Sequence, residues 1–284
     1  MENAASRQEA QIAYWNSVGG DRWVAAAERT DRMLEPILQA LLDRANVQPG
    51  MAVLDIGCGC GGTIVEIAKR VGKSGRVLGV DVSQQMLARA KTLLSGFPQA
   101  ELLEADAGAH SFEQSFDLAI SRFGVMFFAD PVTAFVNIRK AIKPGGRLLF
   151  ATWRAVQDNE WMRVSLDAAL SAGVPAERPA RPEDPGPFSF ADPERIRRIL
   201  TAAGFGEPEI SSASFMLDVA AGGGLEAAVR QAMTIGSAAA LLRKQPENLI
   251  AAARANIEKA LRPYERDGAV ALSSAIWLVE AFPI

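Results

Sequence analysis

The sequence predicts an α/β fold in which a mostly parallel sheet is covered by helices on both faces. Three observations carry this expectation. Short apolar runs of strand character alternate with helical-period segments between Met51 and Trp153. A glycine-rich turn, Gly57 to Gly62, joins the first strand to the helix after it. Acids stand at successive strand tips: Asp55, Asp81 and Asp106.

The elements follow in chain order. Residues 9 to 24 place Tyr14, Trp15 and Trp23 around an expected turn, Val18-Gly19-Gly20-Asp21, and these aromatics either fold over a ligand or simply pack. Met33, Ile37, Leu38, Leu41 and Leu42 recur at helical spacing over Thr30 to Ala45. Gln48-Pro49-Gly50 ends that run and launches a strand from Ala52 to Ile56, with a helix from Thr63 to Val71 beyond the glycines. Arg76 to Asp81 is a second strand, and Ser83 suits the N-cap of the helix that follows. Glu101 to Asp106 and Phe116 to Ser121 are the third and fourth strands. Asp130-Pro131 supplies a cap and a first-turn proline for a helix to about Ile142, and Lys143-Pro144-Gly145-Gly146 turns into a fifth strand, Arg147 to Trp153. Beyond Arg154 the rhythm breaks. A helix over Trp161 to Leu170, a proline-rich loop from Pro175 to Pro187, and a helix from Asp192-Pro193 to Gly204 come next. A sixth strand, Pro208 to Val219, precedes an alanine-rich helical region from Leu225 to about Arg262, and a last strand covers Ala269 to Glu280. The expected organisation is a single domain over 1–284. It has N-terminal helices in 1–50, a cofactor-binding core in 51–153 and helical cap insertions at 155–190 and 222–266.

Composition narrows the class. The chain has 284 residues, 49% hydrophobic and 22% charged, enough for a sizeable core. Its net charge is −3 and its basic residues are dispersed, which argues against a nucleic-acid partner. The N-terminus has no basic region followed by an apolar run of secretory type, and no apolar stretch is long enough to span a bilayer. Cys58 and Cys60 are one residue apart inside the glycine loop, poorly placed for a relaxed disulfide. With a single histidine in the chain, no metal site is expected. A cytoplasmic enzyme without disulfides is the expectation, with a homodimer left open.

Strand, glycine turn and helix present backbone N–H groups and a positive helix end to a ligand. Gly57-x-Gly59-x-x-Gly62 also satisfies the dinucleotide fingerprint, with Asp81 as the ribose acid. Asp55, two positions before the first glycine, argues the other way. A carboxylate there repels a pyrophosphate and favours the sulfonium and ammonium groups of S-adenosylmethionine. Asp81 ends the second strand and suits both ribose hydroxyls, or else caps a helix. Asp106 suits the adenine amino group, with the Ala107 N–H toward a ring nitrogen, or else is a turn residue ahead of Gly108. The run from Ser121 through Arg122, Phe123, Met126 and Phe127 to Phe128 is apolar for a ligand-binding edge, and reads as a substrate wall or as packing for the cap. His110 is a weak candidate for a catalytic base and is more simply structural.

VLDIGCGCGG, GVDVS, EADA, FDLAISRFGVMFF and KPGGRLLF, in this order, resemble the class I S-adenosylmethionine-dependent methyltransferases. The similarity covers about residues 30 to 153 and points to the small-molecule branch that includes ubiquinone/menaquinone-biosynthesis-type enzymes. It implies a Rossmann-like, seven-stranded sheet with the last strand antiparallel. It also implies S-adenosyl-L-methionine as cofactor, with Asp55, Gly57, Gly59 and Gly61 at its methionine end. Asp81 and Val82 then match the ribose position, Asp106 and Ala107 the adenine pair, and Ser121 the position after strand four. The tip SRFG lacks the motif that related enzymes use on exocyclic amines and glutamine, so DNA adenine and protein glutamine are not expected acceptors.

The expected function is methyl transfer to a small, partly apolar acceptor through an O, N, S or C nucleophile. Arg122, Phe123, Met126, Phe127, Trp153 and Trp161 are the candidate acceptor contacts. An NAD(P)-dependent oxidoreductase and a non-catalytic S-adenosylmethionine-binding protein are the alternatives.

Overall fold

The computed structural model describes residues 4–113, 115–176, 181 and 184–284. Three helices, α1 (Ala4–Trp15), α2 (Val18–Met33) and α3 (Glu35–Ala45), precede β1 (Ala52–Ile56). The alternating core follows: α4 (Gly62–Val71), β2 (Arg76–Asp81), α5 (Gln84–Leu93), β3 (Ala100–Glu104), β4 (Phe116–Arg122), α6 (Pro131–Ala141) and β5 (Ile142–Trp153). The rest comprises α7 (Glu160–Ser171), α8 (Pro193–Ala202), β6 (Glu209–Asp218), α9 (Gly224–Thr234), α10 (Ser237–Leu242), α11 (Glu247–Leu261), β7 (Glu265–Arg266) and β8 (Ala269–Ala281).

The strands lie in the order β3-β2-β1-β4-β5-β8-β6, with β7 paired to β8 off this path. β1 to β5 are mutually parallel, while β8 runs antiparallel between β5 and β6. The expected seven-stranded sheet with its last strand reversed is therefore present, and the two-residue β7 is an addition. Strand order reverses between β1 and β4, which opens a crevice at their carboxyl ends.

Period-2 alternation places side chains on both faces of this sheet, and both faces are apolar. Val53, Leu118, Ile120, Leu149 and Ala151 join one cluster with Leu38 and Leu41 of α3 and Ile64 and Ile67 of α4. Leu54, Ala119, Leu148 and Phe150 join the other with Phe135 and Ile138 of α6 and Ile199 and Leu200 of α8. The first cluster continues from Trp153 into Trp161 and Ala169 of α7 and Ile257 of α11, so the late helices pack on the α3–α4 face. Within that layer α7 packs against α10 and α11, and α9 packs against α11, β8 and α2.

Helix starts follow their expected caps. Ser83 Oγ accepts from the Met86 N–H, Asp130 Oδ1 from the Thr133 N–H and Asp192 Oδ1 from the Glu194 N–H. Several boundaries differ from the sequence reading. The expected turn at Val18–Asp21 is the first turn of α2. The predicted helix over Thr30 to Ala45 is divided at Leu34, where Pro36 opens α3 as an independent helix. β3 ends at Glu104, so Asp106 lies in the loop beyond it. β5 begins at Ile142, and its register with β4 shifts between Phe116 and Leu118 as the Pro144–Gly146 segment bulges out. Of the proline-rich loop, residues 177–180, 182 and 183 lie outside the described residues.

Candidate active site

The tips of β1 and β4 are joined through a hydroxyl. Buried Ser121 donates from Oγ to the Ile56 carbonyl at 2.7 Å, and the Gly124 N–H donates back to Oγ at 3.1 Å. The loop after β1 is fastened to β2 as well, because the Gly57 and Cys58 N–H groups both donate to the Val80 carbonyl. Gly57 takes φ +68, a left-handed conformation that a side chain resists. Ser121 thus builds the crevice from behind and does not line it.

A cavity of about 200 Å³ opens over this loop. Gly57, Gly59, Asp81, Val82, Asp106 and Ala107 line it, as do Cys58 and Cys60. Asp81 stands at the tip of β2. Its Oδ2 accepts from the Gly59 N–H at 2.8 Å and its Oδ1 from the Ser83 N–H at 2.9 Å. Burial raises its carboxyl pKa, while N–H donors from Ser83, Gly59 and Val82 pull it back. Each oxygen keeps a free lone pair for a ligand hydroxyl. Asp106 Oδ1 accepts from the Gly108 N–H at 2.8 Å, an Asx turn that leaves the residue in the cavity wall. The turn and site readings of Asp106 are therefore compatible.

Asp55 and Gly61 are placed differently from the expectation. Asp55 is 1% exposed and absent from the cavity lining, and its Oδ2 has no hydrogen-bond partner. Burial pushes its carboxyl up to about 7, with the Arg122 guanidinium drawing it down and the Asp81 carboxylate raising it. A half-neutral acid behind the loop is a weak barrier to pyrophosphate, so the charge argument built on Asp55 loses its premise. Gly61 caps α4 with φ +89 and likewise lies outside the lining. Cys58 and Cys60 are free and buried; burial raises both thiols, that of Cys60 to about 12, so neither is a ready thiolate.

Aromatic side chains after β4, on β5 and on α7 also line the cavity. Phe123 stacks on Trp153 with ring centroids 4.1 Å apart, and Trp161 of α7 lies 5.2 Å from Trp153. Phe123 holds φ +67, rare for a bulky residue, while its N–H donates to the Ala151 carbonyl. Local strain at the tip of β4 turns this ring over the crevice. Met126, Phe127 and Arg122 belong to the same lining. His110, in contrast, is outside the lining; its ring packs edge-on against Phe112 at 4.8 Å.

Sequence reasoning did not single out Asp31, which lines the cavity from α2 and pairs with Arg122 at 2.6 Å. Nor did it fix the N-terminal helices over the site. Trp15 lies 5.1 Å from Phe127, the Ser83 hydroxyl donates to the Trp15 carbonyl, and Asn16 Nδ2 donates to the Val82 carbonyl. The aromatic cluster near the N-terminus was the available signal for these contacts. Asp31 sits in a mixed polar helix with no such signal.

Known proteins resemble this chain in sequence and in fold. Residues 53–146 match a family described as a methyltransferase domain. Nocamycin O-methyltransferase of Saccharothrix syringae is 29% identical over 182 residues, covering 61% of this chain and 65% of its own length. Demethylmenaquinone methyltransferase of Bacillus subtilis (strain 168) is 36% identical over 107 residues, 37% of this chain and 46% of the relative. The chain thus spans about half to two thirds of the length of these two curated relatives. Among solved structures, phosphoethanolamine N-methyltransferase 2 of Haemonchus contortus, in complex with S-adenosyl-L-methionine, aligns with a TM-score of 0.57 at 18% identity. That alignment covers 96% of this chain and 60% of the other. At that identity the likeness concerns the fold. Residues 53–146 of this chain thus match a methyltransferase domain, and the fold around them is similar to that of a methyltransferase solved with S-adenosyl-L-methionine.

Proposed function

We propose that this chain binds S-adenosylmethionine over the glycine loop and transfers its methyl group to a small, partly apolar acceptor. The observation that carries this reading is one cavity lined both by acids from the strand-end loops and by a group of aromatic rings. Asp81 at the tip of β2 and Asp106 in the loop beyond β3 share its lining with the aromatic side chains of Phe123, Trp153 and Trp161. The residues present fit the cofactor. Asp81 keeps lone pairs for ribose hydroxyls, and Asp106 with Ala107 suits an adenine edge. Gly57 and Gly59 both take positive φ and hold the loop in its turned conformation at the cavity lining.

S-adenosylmethionine, when bound, supplies an electrophilic methyl group on a sulfonium centre. The chain's part is to align the acceptor and exclude water. The described lining contains no histidine, lysine or tyrosine, and both cysteines are held as thiols. This supports an acceptor that arrives ionised or with a free electron pair, needing no base from the protein. Nocamycin O-methyltransferase is named for transfer to oxygen, which makes oxygen acceptors the first to screen.

The cofactor-binding part is read as 51–153, with the helices of 155–190 and 222–266 as a cap that selects the acceptor. A small-molecule acceptor without nucleic-acid partners is supported by the dispersed basic residues and the net charge of −3. No helix among the described residues is long and apolar enough to cross a membrane. A cytoplasmic location belongs to the same proposal, and a homodimer is checked by sedimentation. Calorimetry with S-adenosylhomocysteine and with NADH tests the cofactor, and transfer from a labelled methyl donor tests the chemistry. Saturable NADH binding without a response to S-adenosylhomocysteine would return the chain to the oxidoreductase alternative.

A further inference from the structure

Asp31 and Arg122 place opposite charges side by side inside the cavity. Asp31 Oδ1 accepts from Arg122 Nη2 at 2.6 Å, with the side chains 33% and 13% exposed. A Cβ built on Gly62 would lie 2.9 Å from the Asp31 carboxylate, so this acid rests against the first turn of α4, at the end of the glycine loop. Arg122 is the last residue of β4, and its Nη1 is buried without a hydrogen-bond partner.

An ion pair is a poor tether between α2 and β4. Exposed pairs contribute little, and desolvated ones cost much of what they gain. Its value lies elsewhere, because a zwitterion needs one cation and one anion at fixed positions. We propose that Asp31 and Arg122 form a clamp for the α-amino carboxylate of the cofactor, Asp31 accepting from its ammonium group and Arg122 donating to its carboxylate. The clamp rests on the reading that the cavity takes S-adenosylmethionine. It assigns to Asp31 the electrostatic part that the sequence suggested for Asp55, whose carboxyl is buried outside the lining. It also moves Arg122 from the acceptor to the cofactor. Guanidinium suits this role because its planar fork matches a carboxylate and stays charged.

The test compares two ligands by calorimetry. S-adenosylhomocysteine carries the amino-acid end, and 5′-methylthioadenosine keeps the adenosine and thioether without it. The wild-type protein is expected to bind S-adenosylhomocysteine at least about tenfold more tightly, as charge-assisted hydrogen bonds require. Asp31→Asn and Arg122→Met are expected to erase that preference while leaving 5′-methylthioadenosine binding within about twofold. A general loss of fold would weaken both ligands alike, so the ratio isolates the clamp. If Arg122→Met does not fold, Asp31→Asn, close in shape at a partly exposed position, carries the test alone. Variants that keep the wild-type preference overturn the clamp while the cofactor reading stands. A wild-type protein that binds neither ligand overturns the cofactor reading and the clamp with it.

Discussion

Gly57 and Gly124 meet backbone to backbone across the carboxyl ends of β1 and β4. A Cβ on Gly57 would lie 2.7 Å from the Gly124 Cα, and a Cβ on Gly124 would lie 2.9 Å from the Gly57 Cα and 2.5 Å from the Ile56 carbonyl oxygen. The crevice therefore depends on two absent side chains from segments far apart in sequence. Gly124 has helical φ −78 and ψ −40, which alanine accepts readily, so a substitution there tests contact alone. Gly124→Ala is expected to cost about 1–3 kcal/mol through overpacking. Gly57→Ala should cost roughly 1–2 kcal/mol more, because its backbone is left-handed. Urea unfolding measures both, and a Gly124→Ala protein as stable as the wild type would mean that the strand tips part freely.

Local chemistry made much of the core legible. β1 and β2 match their predicted bounds because apolar runs ended by Gly57 and Ser83 leave little choice of register. The pair Gly19-Gly20 misled, since neighbouring glycines ordinarily signal a turn. Here they lie inside α2 for closeness: a Cβ on Gly19 would lie 2.5 Å from the Tyr14 ring, and one on Gly20 would lie 2.3 Å from the Trp15 carbonyl oxygen. Asp55 shows a second limit. A strand acid ahead of a glycine loop reads the same whether it faces a ligand or is buried behind it, and only the packing of β1 between β2 and β4 decides. Asp31 shows a third. Its role comes from a pairing with Arg122 across 91 positions, which no local pattern carries.

Asp81 supports the loop, and its proposed contact with the ribose separates from that support by experiment. Its oxygens hold the Gly59 and Ser83 N–H groups, so Asp81→Ala leaves two backbone donors without acceptors. The expected loss of stability is about 1–3 kcal/mol. Losing a charged acceptor for ribose hydroxyls should also weaken S-adenosylhomocysteine binding by at least about tenfold. Chemical unfolding reads the first effect and calorimetry on the folded variant reads the second. A destabilised variant with an unchanged dissociation constant would leave Asp81 as a loop support only.

His110 should prove dispensable for chemistry. Its backbone N–H donates to the Asp106 carbonyl and its own carbonyl accepts from Asn137 Nδ2 at 2.6 Å, contacts that survive removal of the ring. The imidazole packs on Phe112 outside the cavity lining. His110→Ala is therefore expected to keep its cofactor affinity, with kcat falling by far less than the roughly 10²–10⁴-fold that follows loss of a positioned acid or base. Kinetics with an identified acceptor give the answer. A fall of that full size in a folded variant would make His110 the base.

Asp55 should set a pH dependence on folding that runs opposite to that of an ion-paired carboxylate. Burial, the first cause, carries its folded pKa up to about 7 from an ordinary 3.8, despite the opposing attraction of Arg122. Between about pH 4 and about pH 7 the native state then binds a proton that the unfolded chain releases. Stability falls as pH rises through that window and levels off above it, because the native protein must finally hold a buried carboxylate. A shift of about three units corresponds to a change on the order of 2–4 kcal/mol. Asp81 is shifted in the same direction, so the wild-type profile alone does not assign the effect. Asp55→Asn removes one titration and keeps the other. Urea unfolding of both proteins at about pH 5 and about pH 8 is expected to show the wild type losing more stability than Asp55→Asn across the interval. Equal losses would place the Asp55 carboxylate in a better-solvated or better-paired setting than its unpartnered Oδ2 indicates.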